Sequence, residues 1–260
     1  MKKTEELSLQ ETAAFAKKQY ANSFLNTEEC VFSFVKRVAA RAEDIAHKFY
    51  ADMLPEYHAE NKANNIAAVV HCAILSEVFS YSNCCFEEVA EISNVQVAAM
   101  VAQLSRDKRL VETKRDTEYR GRLSQSSLGA QIVAVARIIC FAQSTKKYFE
   151  SYSVAAAQKI KKNLNQMDAD LLAIHAASLY YVLRTHVHAA RNLLTTISQD
   201  LKKERSRLKN EKLVLQHTKV LRESNSSPQV AAKKKHKQPA SKVSKPAKKK
   251  VTKKKGANKK

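Results

Sequence analysis

Turn-forming residues are what this sequence has least of. Its 260 residues include three Gly, four Pro and no Trp. Neither Gly nor Pro occurs between Pro55 and Gly121, nor between Gly129 and Pro228. Sheet-rich folds need a turn about every 8–12 residues, so runs this long exclude them and leave helices. Ala, Leu, Lys and Glu, all strong helix formers, fill the same runs. The fold class is therefore expected to be all-α. No apolar segment of leader type follows Lys2-Lys3, and no run of about 18 apolar residues occurs. Neither secretion nor a membrane span is expected. The five Cys, at 30, 72, 84, 85 and 140, lack CxxC spacing. Four of them stand in apolar helical surroundings, where a reduced thiol packs as a small hydrophobe. The adjacent Cys84 and Cys85 are expected to pack in the same way. A reducing, cytoplasmic compartment fits this usage.

Acidic residues are missing from one end. Residues 231–260 hold 14 Lys and neither Asp nor Glu, whereas residues 1–200 hold 24 Lys and Arg against 22 Asp and Glu. The net charge of +21 thus belongs to an attachment on a nearly neutral body. The last stretch, AAKKKHKQPASKVSKPAKKKVTKKKGANKK, has no Arg and no aromatic residue. Such a chain has nothing to bury and repels itself, so it is expected to be disordered. Its natural partner is a polyanion, DNA or RNA, met by Lys233, Lys234, Lys235, Lys237, Lys248, Lys249, Lys250, Lys253, Lys254 and Lys255. Without interleaved aromatics, base stacking and sequence readout are not expected. An anionic membrane surface, or a solubilising role with no dedicated partner, are the competing readings.

The periodicity predicts helices over 10–25, 31–54, 61–81, 86–104, 112–123 and 129–141, then one long helical region from 146 to about 221. The stretches AAVVHCAIL and GAQIVAVARIICF are apolar almost all round, as buried central helices would be. In the long region Leu194, Leu201, Leu208 and Leu215 fall seven apart, while the interleaved row reads Ile197, Glu204 and Glu211. This fits either a weak coiled coil that forms a homodimer or a helix packed along its own domain. The expected division is a helical domain over 1–180, a helical extension over 181–222 and a basic tail over 223–260.

Residues 73–145 carry a longer pattern. AILSEVFSYSNCCFEEVAE, then SRDKRLVETKRDTEYRGRLSQSSLGAQIVAVARIICFAQST, resembles the metal-dependent HD domain of RelA/SpoT-type (p)ppGpp pyrophosphohydrolases, where the corresponding segments read ALLHDxxEDT and KLADRLxN. Phe86, Glu87, Glu88, Val89, Asp107, Leu110, Arg115, Gly129 and Val133 keep the family's phase with no insertion. Upstream, FAKKQY and VFSFVKRVAARA resemble the family's FAxxxH and YxxHPxxVA segments, and Tyr148, Phe149 and Glu150 open what look like its closing helices.

The resemblance implies an HD fold whose site joins two His and two Asp on one Mn²⁺. The metal would polarise a phosphoryl oxygen and supply a water nucleophile, and an acidic pair would handle the proton. Here the metal positions read Phe34 (or Val35), Ser76, Glu77 and Arg137, and the acidic pair reads Ser80 and Tyr81. Only Glu77 ligates a hard cation well, and Arg137 sets a permanent positive charge at the metal's seat. No metal site is therefore expected. Arg137 would either pair with Glu77 or meet a phosphate directly. His71-Cys72 would restore one ligand in a shifted register that loses the downstream phase. If residues 146–221 form one helix, His175 and His186 lie about 16 Å apart along it, and His186 and His188 point to different faces. The expected function is a non-catalytic HD-like module with a polyanion-binding tail. The alternative is an active nucleotide phosphohydrolase that holds Mn²⁺ through other ligands.

Overall fold

Ser8 caps the first helix. Its hydroxyl accepts from the Glu11 N–H while the Glu11 carboxylate accepts from the Ser8 N–H, so two otherwise orphaned donors are satisfied together. The computed structural model describes residues 8–25, 29–53, 59–147, 154–178 and 180–225. The helices among them are α1 (Leu9–Gln19), α2 (Val31–Met53), α3 (Ala59–Leu75), α4 (Val78–Tyr81), α5 (Phe86–Ile92), α6 (Val95–Gln103), α7 (Glu112–Ser124), α8 (Leu128–Lys147), α9 (Val154–Ala177) and α10 (Tyr181–Asn225). An isolated bridge between Phe24 and Cys30 is the one β feature among the described residues. The fold is all-α.

The chain forms two compact units, Met1–Lys212 and Leu213–Lys260. In the first, α2, α3 and α8 pack on one another at the centre. Val35, Val38, Ala42, Ile45 and Phe49 recur on one face of α2 and are buried. α8 buries Ala130, Ile132, Val133, Val135 and Ala136, which is why its sequence shows no polar face. Its stretch 128–146 is long and apolar enough to cross a membrane, and 72% of it is buried inside the protein. Each fully buried Ile, Leu or Val contributes about 1.5–3 kcal/mol. Gly129 lets α8 approach closely, since a Cβ there would lie 2.5 Å from Met100 Cε. The described part of the second unit is the end of α10, where Leu213, Val214, Leu215 and Val220 are exposed.

Three expected helices are broken. The 61–81 stretch splits at Ser76-Glu77 into α3 and α4, because the Ser76 hydroxyl bonds back to the Ala73 carbonyl at 2.8 Å and Tyr20 takes the Ile74 carbonyl. The 86–104 stretch splits into α5 and α6, since Asn94 caps α6 by accepting from the Val97 N–H at 2.8 Å. The 146–221 stretch is two helices that fold back on one another. The turn is at Ser178, whose hydroxyl accepts from the Tyr180 N–H at 3.2 Å. Asp168 and His175 of α9 accordingly meet Arg191 and His188 of α10.

This reversal also divides the leucine row. Leu194 and Leu201 are buried in the core of the first unit, while Leu208 is half-buried and Leu215 is 70% exposed. Cys85 is a further correction: it is exposed at the head of α5, not packed, whereas Cys72 and Cys140 are buried. The basic tail and Tyr148-Phe149-Glu150 lie outside the described residues.

Candidate functional site

The break between α3 and α4 points a carboxylate inward. Tyr20 of α1 holds it open with one hydroxyl, which donates to the Ile74 carbonyl at 3.0 Å and accepts from the Glu77 N–H at 3.3 Å. Burial, then the nearby Glu77 charge, raises the Tyr20 pKa well above its usual value, so the phenol stays a donor. The Glu77 side chain, 9% exposed, then faces a cavity of about 490 Å³.

Five of the six positions singled out from the sequence line this cavity: Phe34, Glu77, Ser80, Tyr81 and Arg137. Ser76 does not, its hydroxyl being spent on its own helix. Val35 is fully buried and, unlike Phe34, does not line the cavity. Arg137, from the middle of α8, donates through Nη2 to Glu77 Oε1 and through Nη1 to the Leu104 carbonyl at 3.1 Å. Burial pulls the guanidinium pKa down, but the Glu77 carboxylate outweighs it and the net direction is up. Of the two readings of Arg137, the structure holds the ion pair.

A second ion-paired node, not foreseen from the sequence, closes the same cavity. Arg106 donates through Nη1 to Asp116 of α7 and through Nη2 to Asp170 Oδ2 of α9 at 2.5 Å. Its guanidinium stacks on the Tyr119 ring, 4.2 Å from the centroid. Gln166 donates to the other oxygen of Asp116 at 2.7 Å. Asp170 is 4% exposed, and burial raises its pKa against the pull of Arg106. Arg106, Asp116 and Tyr119 lay within the patterned stretch, but no family motif marked them. Asp170 lay in a helix expected to run straight.

The donor set does not fit a divalent cation. Among the metal positions only Glu77 offers a hard oxygen, and Arg137 occupies it. No group of three or more His, Cys, Asp or Glu side chains among the described residues could hold a metal ion. His71 Nδ1 lies 2.8 Å from the Thr12 hydroxyl, so it ties α3 to α1. The His175 and His188 rings meet, Nε2 to Nε2 at 3.2 Å, because α9 and α10 fold back on one another.

No family model matches the chain, and no curated protein does. Nine chains of solved structures match. One is a metazoan orthologue of SpoT that hydrolyses ppGpp and plays a role in starvation responses. It superposes with a TM-score of 0.54 at 14% identity, over 70% of this chain and 92% of that one. At that identity the likeness is one of fold, that of an HD-domain helical protein.

Proposed function

We propose that this chain is a non-catalytic HD-like protein, related to the (p)ppGpp pyrophosphohydrolases, that acts by binding and carries a Lys-rich tail for nucleic acid. The observation that supports it is the Arg137–Glu77 ion pair in the wall of the cavity. A guanidinium there repels a dication and ties up the one carboxylate that could ligate it. Tested with Mn²⁺ and ppGpp, the purified full chain is expected to release no pyrophosphate above the blank, and to carry no stoichiometric Mn, Fe or Zn. Mn²⁺-dependent release that Glu77→Ala abolishes would overturn the reading.

The tail reading rests on 14 Lys without an acidic residue in residues 231–260. Each phosphate neutralised releases counterions, so the logarithm of the affinity for duplex DNA should fall with log salt at a slope of about −0.9 per phosphate. Deleting 231–260 should abolish retention on DNA and RNA at low salt. Unchanged retention would assign nucleic acid to some other surface or to none.

A further inference from the structure

Outside the cavity, the α9–α10 hairpin brings two imidazoles together at the surface. His175 and His188 stand Nε2 to Nε2 at 3.2 Å, His188 exposed and His175 half-buried. Two ring nitrogens bound to one ion at about 2.0–2.1 Å lie about 3.3–3.4 Å apart at a tetrahedral angle, and about 2.8–3.0 Å apart at a right angle. The observed separation falls between the two. Ring placement gives a second measure. A straight N–H···N bond of this length would hold the ring centroids about 5.5 Å apart, whereas two rings aiming Nε2 at one ion would hold them about 5 Å apart. They stand 4.8 Å apart, with their planes at 75°. This is the spacing of a chelate.

The two rings are held in place from both helices. Ile174 and Val187, each next to one of the His, are fully buried and anchor the backbone on either side. Further along the hairpin, Asp168 and Arg191 bridge the same two helices at 2.7 Å. Donors fixed in this way lose little freedom when an ion arrives. The surrounding charge narrows the choice of ion. Arg184 and Arg191 both lie near the pair; Asp168 balances Arg191, whereas Arg184 forms no ion pair among the described residues. Residual positive charge works against Mg²⁺, Ca²⁺ and Mn²⁺, which prefer oxygen ligands that this pair does not offer. It leaves the ions that imidazole binds by strong donor bonds, Cu²⁺ foremost.

We propose that His175 and His188 chelate a late first-row dication, Cu²⁺ in preference to Ni²⁺ and Zn²⁺, with water completing the shell. In the free pair one Nε2–H donates to the other Nε2. Binding moves that proton to Nδ1 of the same ring, so that both Nε2 lone pairs face the ion and no proton is lost. The ion then clamps α9 to α10. Two protein ligands are fewer than the three or four of resident zinc sites, so the ion is taken up on addition and is not carried through purification. The site is separate from the Glu77–Arg137 cavity and does not rest on the non-catalytic reading. Mn²⁺, the ion that hydrolysis would use, stands at the weak end of the series for such nitrogen donors.

Titration of the chelator-treated full chain with CuCl₂, followed by calorimetry and by the electron paramagnetic resonance of bound Cu²⁺, tests this. One ion per chain should bind in a class whose spectrum shows two equivalent-type nitrogen donors. Either His175→Gln or His188→Gln alone should weaken that class about a hundredfold, since the gain from chelation is lost. Cu²⁺ should raise the melting temperature of the parent and not that of either variant through this class. His47→Gln, on α2 beside Glu43, should leave uptake and the rise unchanged. Ions held elsewhere on the chain are told apart because they survive the two substitutions. The variants lie on different helices, so if one failed to fold the other would still decide. The proposal is overturned if no class saturates at one per chain, if it persists in either variant, if His47→Gln removes it, or if Mn²⁺ competes as well as Cu²⁺. Pyrophosphate release in the hydrolysis assay would sink the non-catalytic reading and leave this site untouched.

Discussion

Tyr20 serves two backbone groups with one hydroxyl, and both belong to the turn that aims Glu77. Its replacement by Phe would leave the Ile74 carbonyl and the Glu77 N–H short of a partner in a buried place. Tyr20→Phe should cost about 1–3 kcal/mol in denaturant unfolding, and an unchanged midpoint would show that the break is held by other means. The Arg137–Glu77 pair makes a sharper case. Removing one partner strands a mostly buried charge, so Glu77→Gln or Arg137→Met alone should cost about 3–5 kcal/mol. The double variant Glu77→Leu with Arg137→Met should cost much less than the sum, and simple additivity would mean the two side chains are not coupled. Glu77, Ser80, Tyr81 and Arg137 were legible in the sequence from the phase between residues 73 and 145, and Phe34 from the upstream segment VFSFVKRVAARA. Arg106 and Asp170 were not, because an ion pair between residues 64 apart leaves no mark at either position.

Among the elements, the α9–α10 hairpin departs furthest from the sequence pattern. With no Gly or Pro between Gly129 and Pro228, nothing marked a stop. Ser178 and its hydroxyl do the work that a glycine C-cap more often does. The reversal sets His175 against His188 of the facing helix, with Arg184 and Arg191 nearby. Partial desolvation, then the charges of His188, Arg184 and Arg191, lowers the His175 pKa, and burial with Lys48 and Arg41 lowers that of His186. A base whose folded pKa is depressed binds fewer protons folded than unfolded, so its penalty grows as pH falls through the ordinary His range. The melting temperature should accordingly drop between about pH 7 and pH 5.5, and His175→Gln should flatten that profile. A profile equally steep in the variant would assign the effect elsewhere. The hairpin also spends Leu194 and Leu201 on its own core. A coiled coil needs about three to four heptads of seam, and Leu208 and Leu215 alone supply two positions. Sedimentation should find a monomer, and a dimer dissociated by Leu215→Glu would contradict this.

For the whole molecule, the scarcity of Gly and Pro was enough to read an all-α fold, because long helices are what such a chain can build. Where helices stop was less legible, since each break depends on a local hydroxyl or amide bond at Ser76, Asn94 or Ser178. The first unit carries its own core, and the described end of the second shows its apolar side chains to solvent. Deleting residues 213–260 should therefore leave the melting temperature of the remainder unchanged within about 2 °C, a shift equivalent to about 0.5–1 kcal/mol in a unit of this size. A larger fall would show that the end of α10 supports the core.

The ion pair between Arg137 and Glu77 also bears on how such a site could change over generations. A single substitution to Arg137→Asp would place one carboxylate against another in a largely dry wall, with Asp170 lining the same space. Such a variant would need a captured cation before it could fold well, and the His ligands that would secure the cation are absent from Phe34 and Ser76. Each half-step towards a metal centre is worse than either end. A cavity arranged this way is held apart from a metal centre by a barrier in sequence space.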